Sequence, residues 1–215
     1  KIEALLKQLD DLDLTKDTIV IFTSDHGDLL GSHGGLSSKG TTTYKQQNHV
    51  PLLVVHPAIK GGQSCKEVTS HIDLVPTIVS MTKKGTAPAS AMMKGQDLTP
   101  LLSKPVHPDF TKNRGGVLFC YSQLMVHDPA FTKTLYTMIE DGSVVRADQF
   151  KKIETFPIDW SLRVSIRSIV DERYKFSRYF SFKEFNTPKT IEELKAKNDL
   201  ELYDLQADPQ ELNNL

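Results

Sequence analysis

Residues 18–28 have the sequence TIVIFTSDHGD, in which an unbroken apolar run is followed at once by acidic, imidazole and glycine groups. A short apolar run between polar residues is typical of a strand buried on both faces of a parallel sheet. Before it, apolar residues recur three and four apart from Ile2 to Leu12, and this spacing predicts an amphipathic helix that ends near Thr15. A helix followed by a buried strand predicts an α/β fold.

Asp25 and His26 lie where the predicted strand ends. Open parallel sheets bind their ligands at the carboxyl ends of strands. A carboxylate oxygen and an imidazole nitrogen are both ligands of divalent metals, and Gly27 allows the backbone to turn tightly past an ion. These residues therefore predict part of a metal site. A structural interpretation stays open, in which Asp25 caps a turn and His26 is a partly buried hydrogen-bonding residue.

Two further candidates, His33 and Lys39, lie in the glycine-bearing segment at residues 27–43, which is long for a connection within a compact domain. Lys39 offers a compact cation to an anionic substrate group, and His33 is a candidate contact to substrate or metal. The structural alternatives are a solvated lysine and a histidine that stabilises the loop. A serine triad at Ser24 is excluded, because contiguous strand residues point to opposite faces.

The residues after this segment predict the rest of a main α/β part. Residues 50–55 form a second apolar run, and Ser70 and Asp73 are suited to cap a helix that begins at Leu74 and ends near Met81. Residues 83–95 are small and polar, with glycine and proline, as expected between two parts of a fold. The sequence thus predicts a main α/β part at residues 1–95 and a smaller part at residues 96–215.

Short β-rich runs dominate the chain after residue 115. They predict antiparallel strands at residues 117–121, 134–139, 164–170 and 174–180. A helix is predicted at residues 188–197, and Asp208, Pro209 and Glu211 have the pattern that starts another. The fold class is therefore α/β, a mixed sheet flanked by helices, with a smaller C-terminal antiparallel sheet and a helix.

Composition narrows the classes of partner. The chain has 215 residues, 39% hydrophobic and 25% charged, which is the balance of a globular protein. Lys and Arg total 26 against 27 Asp and Glu, so the net charge of -1 favours neither nucleic acid nor an anionic membrane. No apolar run approaches the roughly 20 residues of a membrane helix. Two cysteines, Cys65 and Cys120, predict no disulfide framework and leave the cellular compartment open.

The chain resembles the sulfatase family of the alkaline phosphatase superfamily in motifs that are spread over its whole length, in family order. These motifs are residues 22–35 with Lys39, Tyr44 and 50–54, residues 70–77, residues 95–102, residues 165–167 with 173–176, and residues 201–205 with 208–209 and 211–214. The resemblance implies an alkaline phosphatase-like fold, incomplete here, with a large mixed sheet and a smaller antiparallel sheet.

The resemblance also implies roles for the candidate residues. Asp25 and His26 would be ligands of a divalent metal, calcium in a typical sulfatase, with magnesium or manganese as alternatives. Lys39 would contact the sulfate oxygens of a small-molecule or sugar sulfate ester. The metal and the lysine would stabilise the transition state by charge.

The family's nucleophile is a formylglycine made from Cys or Ser in a Cys/Ser-x-Pro-x-Arg motif, and residues 1–215 contain no such motif. The resemblance therefore places the nucleophile and the remaining metal ligands in an N-terminal half of the same protein, so this chain alone is expected to be inactive. Two alternatives stay open: a phosphonate or phosphate ester hydrolase of the same superfamily, and a non-catalytic truncated module.

Overall fold

The computed structural model describes residues 1–40, 42–82, 93–106, 110, 114–122, 128–140, 156–184 and 187–215. The chain divides into two compact units, the first formed by residues 1–29 and 46–117 and the second by residues 30–45 and 118–215. Most of the segment on which the predicted boundary at residue 95 rests, residues 83–92, lies outside the described residues. That boundary stays a prediction.

The secondary structure alternates helices and short strands. The helices are α1 (Ile2–Asp11), α2 (Lys45–Asn48), α3 (Leu74–Thr82), α4 (Thr99–Ser103), α5 (Pro129–Glu140) and α6 (Ile191–Lys197), together with a kinked single turn at Ser32–Gly35 and 3₁₀ turns at Thr15–Asp17 and His71–Asp73. The strands are β1 (Val20–Thr23), β2 (Leu52–Val55), β3 (Val117–Ser122), β4 (Ser165–Val170), β5 (Tyr174–Phe180) and β6 (Asp199–Asp204). Each helix in the described part of the chain is too short or too polar to cross a bilayer.

The first unit contains a two-stranded sheet. Strands β1 and β2 pair antiparallel, from Val20 opposite Val55 to Thr23 opposite Leu52. The α/β class and the position of the strand are confirmed, but a parallel neighbour and burial on both faces are not found among the described residues, where Phe22 is 43% exposed. An apolar run marks a strand but does not fix the direction of its neighbour.

Helix α3 begins at Leu74, as the sequence predicts, directly after a capped 3₁₀ turn at His71–Asp73. Ser70 and Asp73 form a reciprocal capping box, in which the Ser70 amide donates to Asp73 Oδ2 at 2.8 Å. Asp73 is fully buried, and its carboxylate also accepts the Gln96 amide at 2.8 Å and both terminal nitrogens of Arg114. One buried carboxylate therefore joins the start of α3 to two segments that follow it in the chain.

The second unit contains a four-stranded sheet in the order β3-β4-β5-β6. Strands β4, β5 and β6 pair antiparallel in sequence, with Ser165 opposite Phe180 and Tyr174 opposite Asp204. Ile166 and Phe180 are fully buried on it. The predicted strands at residues 117–121, 164–170 and 174–180 are confirmed, and α6 lies within the predicted helix but begins at Ile191, after the capping residue Thr190.

The strand predicted at residues 134–139 is wrong, because these residues belong to helix α5. Asp128 caps this helix: its Oδ1 accepts the amides of Ala130 at 2.9 Å and Phe131 at 3.0 Å. Pro129 occupies the first helical position, where its missing N–H costs nothing. The cap outweighs the strand preference of the β-branched and aromatic residues that follow it.

The helix predicted from Asp208 onward is also absent from the fully described stretch 187–215. Asp208 does accept backbone amides, those of Leu212 at 2.7 Å and Asn213 at 2.8 Å. Glu211, which lies between Asp208 and Leu212 in the chain, has a left-handed φ of 59°, and this backbone conformation interrupts a helix. Its side chain is fully buried. The pattern of Asp208, Pro209 and Glu211 thus corresponds to a capped turn and not to a helix.

Candidate functional site

Asp25 and His26 directly follow β1 in the first unit, where the sequence places them. Asp25 Oδ1 accepts the amide of His26 at 3.0 Å, and Ser24 Oγ donates to the His26 carbonyl oxygen at 2.7 Å. These contacts fold the backbone so that both side chains lie on the same side of the turn, with His26 Nε2 3.4 Å from Asp25 Oδ2. The Asp25 side chain is 84% exposed, which makes this pair accessible.

The hydrogen bond at the other ring nitrogen defines the chemistry of His26. Nδ1 lies 2.7 Å from the Gly27 carbonyl oxygen, an acceptor, so Nδ1 carries the proton in the neutral ring. Nε2 then carries a lone pair that faces the carboxylate of Asp25. A cation between the two atoms, either a proton on Nε2 or a metal ion, removes the repulsion between the lone pair and the carboxylate oxygen, so the pair has the geometry of one side of a cation site.

Gly27 is required by a close approach of two backbone segments. Its amide donates to the Gln47 carbonyl oxygen at 2.7 Å, and a Cβ at this position would lie 2.0 Å from the Gln46 carbonyl oxygen. Any side chain would force these segments apart. Glycine thereby fixes the direction in which the chain leaves the Asp25 and His26 pair.

Asp25 and His26 offer two donor groups, fewer than a divalent metal takes. Among the residues that the structure describes, no group of three or more His, Cys, Asp or Glu side chains is arranged to hold a metal. Calcium takes six to eight oxygen ligands and magnesium six. One carboxylate and one imidazole fit such an ion as a subset of its ligands, and the others must come from other groups.

His33 and Lys39 lie on one loop of the second unit. The loop turns back on itself at residues 31–36, where the Gly31 amide donates to the Leu36 carbonyl oxygen at 2.7 Å. His33 has left-handed backbone angles, φ 52° and ψ 49°, which are uncommon for a residue with a Cβ. Lys39 is exposed. The structure therefore presents both predicted residues on a tightly folded loop.

The ring of His33 stacks on Tyr44. The two ring centroids are 3.6 Å apart and the rings are 8° from parallel. Tyr44 also contacts Tyr203 of strand β6 at 6.4 Å between centroids, and burial, opposed by a hydrogen bond from Tyr203, raises the pKa of the Tyr44 hydroxyl. His33 therefore rests on an aromatic side chain that is itself held by the C-terminal sheet.

A buried ion pair that the sequence did not predict lies beside Tyr44. Lys175 and Glu211 are each only 2% exposed, and Lys175 Nζ lies 2.6 Å from Glu211 Oε1. Lys175 also donates to the Thr43 carbonyl oxygen at 2.7 Å, and Glu211 Oε2 accepts the Lys45 amide at 2.9 Å. The pair therefore binds the backbone on both sides of Tyr44.

Burial lowers the pKa of Lys175, and the hydrogen bond and charge of Glu211 oppose this change. The sequence carries one signal of this pair, a lysine inside the apolar strand run of residues 174–180. Its partner lies outside any local pattern, because Glu211 is 36 positions away, in a turn whose residues predict a helix.

Comparisons with known proteins first define the fold. A protein solved in complex with its substrate D-glucosamine-2-N,6-O-disulfate matches 99% of this chain and 33% of its own length, with a TM-score of 0.65 and 21% identity. The shared fold is the alkaline phosphatase-like α/β fold.

The sequence comparisons then define the family. Residues 1–84 match the family model described as Sulfatase, which identifies this segment as part of a sulfatase-family domain. An arylsulfatase of Chlamydomonas reinhardtii is 30% identical over all of this chain and 29% of its own length. Arylsulfatase K of Gallus gallus is 37% identical over 46% of this chain and 17% of its own length. The chain spans about a third or less of each of these three proteins.

Proposed function

We propose that this chain is part of a sulfatase, a hydrolase that cleaves sulfate from an organic or sugar ester. The observation that carries the proposal is that the Sulfatase match covers the residues holding the Asp25 and His26 pair. The chemistry of this pair, a carboxylate facing an imidazole lone pair, suits the divalent cation that such enzymes use.

Asp25 and His26 act as metal ligands in this proposal. The His26 amide orients the Asp25 carboxylate, and the Gly27 carbonyl orients the His26 ring. Calcium is the proposed metal, and the same donors also accept magnesium or manganese. When bound, such an ion supplies positive charge to sulfate oxygens as negative charge develops on them.

Lys39 and His33 act on the substrate in this proposal. The ammonium group of Lys39 donates to sulfate oxygens, and its charge stabilises the transition state. His33 contacts the substrate from the same loop. The nucleophile, a formylglycine, is supplied from outside residues 1–215, so the 215-residue chain alone does not turn over substrate.

The proposed substrates are small-molecule or sugar sulfate esters. Support comes from the solved relative whose complex holds a disulfated glucosamine, and from relatives named arylsulfatases. The competing proposal is hydrolysis of phosphonate or phosphate esters, because the same cation and lysine suit either anion.

The first test is to sequence the source polypeptide upstream of Lys1 and to assay it in full. A Cys/Ser-x-Pro-x-Arg motif and hydrolysis of 4-nitrophenyl sulfate in preference to 4-nitrophenyl phenylphosphonate support the sulfatase proposal. Asp25→Asn is expected to lower kcat/KM at least about a hundredfold, as loss of a charge-stabilising group does. Preferential phosphonate hydrolysis, or no such motif, contradicts the proposal.

The matched control is Asp11→Asn, which changes an exposed carboxylate paired with Lys7 at 2.7 Å on helix α1. Its kcat/KM is expected to stay within about twofold of the wild-type value, because exposed pairs contribute little. Removal of bound metal with a chelator, followed by addition of calcium, magnesium or manganese, identifies the ion by the activity that each restores.

A further inference from the structure

We infer that Lys175, through its ion pair with Glu211, is a positioning residue that holds Tyr44 as the platform on which the substrate-facing His33 is stacked. The inference rests on the proposed function, since it assigns a purpose to the His33 loop of that site. Every residue it invokes lies in the second compact unit.

The first step is that the backbone around Tyr44 is held at both ends. The carbonyl before it, that of Thr43, accepts Lys175 Nζ at 2.7 Å, and the amide after it, that of Lys45, donates to Glu211 at 2.9 Å. Both contacts involve an ionised partner, and hydrogen bonds of this kind are roughly twice as strong as neutral ones. The main-chain position of Tyr44 is therefore defined by the ion pair.

A second anchor acts through the side chain of Thr43, which is 1% exposed. Its Oγ1 lies 2.9 Å from Ser177 Oγ on strand β5, and Ser177 Oγ lies 2.9 Å from Ser168 Oγ on strand β4. The segment is thus bound to the inner face of the sheet by hydroxyl groups as well as by the ion pair.

The third step is the link from Tyr44 to the loop. The His33 ring lies parallel to the Tyr44 ring at 3.6 Å, while Lys175 Nζ lies 5.6 Å from the Tyr44 centroid and 5.3 Å from that of Tyr203. An aromatic ring fixed by its backbone and its neighbours leaves a stacked partner few orientations. His33 holds a left-handed backbone, which persists only where surrounding contacts enforce it.

The choice of residues also needs an explanation. A buried ion pair is weak evidence for stability, because well-packed apolar residues of similar volume often replace it without loss. What an apolar residue at position 175 cannot supply is a donor aimed at the Thr43 carbonyl. Position, rather than stability, is therefore what the pair contributes here.

A kinetic double-mutant cycle in the full source polypeptide tests this role. Tyr44→Leu removes the platform and is expected to lower kcat/KM by about tenfold, less than the hundredfold that a 1 Å misplacement causes in some enzymes. In a His33→Ala background the same change is expected to have no further effect, because Tyr44 acts through His33. Additive losses overturn the inference, as a merely structural role would produce them.

A spectroscopic readout needs no turnover. In protein labelled with ¹³C-histidine, the His33 ring signal is identified by its disappearance in His33→Ala. Stacking on Tyr44 shifts this signal by the ring current. Tyr44→Leu is expected to abolish the shift, and Tyr44→Phe, which keeps the ring, is expected to retain it. If the His33 ring signal of Tyr44→Leu has the wild-type chemical shift, the inference is overturned.

The ion pair is tested with the paired change Lys175→Met and Glu211→Gln, which leaves no buried charge without its partner and so avoids the unfolding expected from either change alone. We expect this variant to fold and to shift the His33 signal towards that of Tyr44→Leu. A folded paired variant whose signal matches the wild type overturns the role of Lys175.

These experiments separate the two proposals. If the wild-type polypeptide hydrolyses no sulfate ester while the His33 signal responds as expected, the proposed function fails and the positioning geometry is supported. If the polypeptide hydrolyses sulfate esters but the kinetic losses are additive, the proposed function holds and the positioning role fails.

Discussion

The sheets of the two compact units differ in how far their apolar side chains are buried. In the first unit, helix α1 has no buried residue, and Phe22, Leu53 and Val55 of the β1 and β2 sheet are 43%, 55% and 60% exposed. In the second unit, Ile166 and Phe180 of the sheet are fully buried. The second sheet therefore contains fully buried side chains, whereas no residue of β1 or β2 is buried.

The two units are also stabilised by different kinds of contact. The second unit binds the loop that holds His33 and Tyr44 with a buried ion pair and buried hydroxyl groups. In the first unit, the buried carboxylate of Asp73 organises the start of α3, while the strand that carries Asp25 and His26 lies in a sheet with an open face. Exposed apolar faces of this kind are typical of interaction surfaces and of surfaces prone to association.

The largest effect is expected at Asp73. Asp73→Asn leaves Arg114, whose side chain is only 9% exposed, without its charged partner, and is expected to lower the free energy of unfolding by about 3 to 5 kcal/mol. Urea unfolding of the full source polypeptide measures it. The control is Asp199→Asn in the second unit, whose carboxylate is 66% exposed and pairs with Arg163, with an expected loss below about 1 kcal/mol. Equal losses of unfolding free energy in the two variants would contradict the role of the buried Asp73 and Arg114 pair in stability.

A smaller effect is expected at Gly27. Gly27→Ala places a Cβ 2.0 Å from the Gln46 carbonyl oxygen, and relief of such overlap typically costs about 1 to 3 kcal/mol. The matched control is Gly61→Ala, where a Cβ meets no atom within 4 Å and the backbone is not left-handed. Thermal unfolding is expected to shift for the first variant and not for the second, and similar shifts would show that Gly27 is not sterically required.

The open face of the first unit predicts self-association of the 215-residue chain when it is produced alone. Leu53→Thr, on the exposed side of β2, is expected to weaken this association by about tenfold, equivalent to about 1.4 kcal/mol. Sedimentation velocity over a concentration series measures it. Leu212→Thr, at a position 69% exposed in the second unit, is the control. A wild-type chain that stays monomeric at high concentration would show that the open face does not associate.

The smallest effect is expected from a decrease in pH, which protonates carboxyl groups of the second unit. The Asn213 amide lowers the pKa of Asp208 and the Phe131 amide that of Asp128, while a hydrogen bond from Arg173 lowers the pKa of Asp204. A carboxyl with a lowered folded-state pKa stabilises the fold fully above its ordinary value of 3.8 and loses this contribution as pH falls through the folded-state pKa.

The urea concentration at the unfolding midpoint, measured between pH 6 and pH 2, is therefore expected to decrease once the pH is below about 4. Asp208→Asn keeps an oxygen that accepts the same amides and removes the titrating proton, so its midpoint is expected to depend less on pH. An unchanged pH dependence in this variant would exclude Asp208 as a contributor.

Elements set by local patterns were predictable from the sequence. Helix α1, the cap at Ser70 and Asp73, and strands β4 and β5 depend on side-chain spacing and capping chemistry within a few residues. Helix α5 was missed, although Asp128 followed by Pro129 is a helix-start signal, because the β-branched and aromatic residues after it favour a strand.

The candidate site was predictable only in part. Asp25 and His26 were located by their place at a strand end, and the structure brings them together, whereas their metal role stays a proposal. The contacts around Tyr44 were not predictable, because Lys175 and Glu211 meet through the fold rather than through any spacing in the sequence. The aromatic stack on His33 depends on the same long-range contacts.

The contact between Glu211 and the Lys45 amide joins groups 166 positions apart. Closing a flexible loop of that length costs about 4 to 5 kcal/mol of chain entropy, which the surrounding contacts of the second unit must offset. Synthesis proceeds from the N-terminus at about 5 to 20 residues per second, and the His33 loop leaves the ribosome well before Glu211 is made. The loop is therefore fixed after its own translation is over, by a carboxylate that arrives about ten seconds or more later.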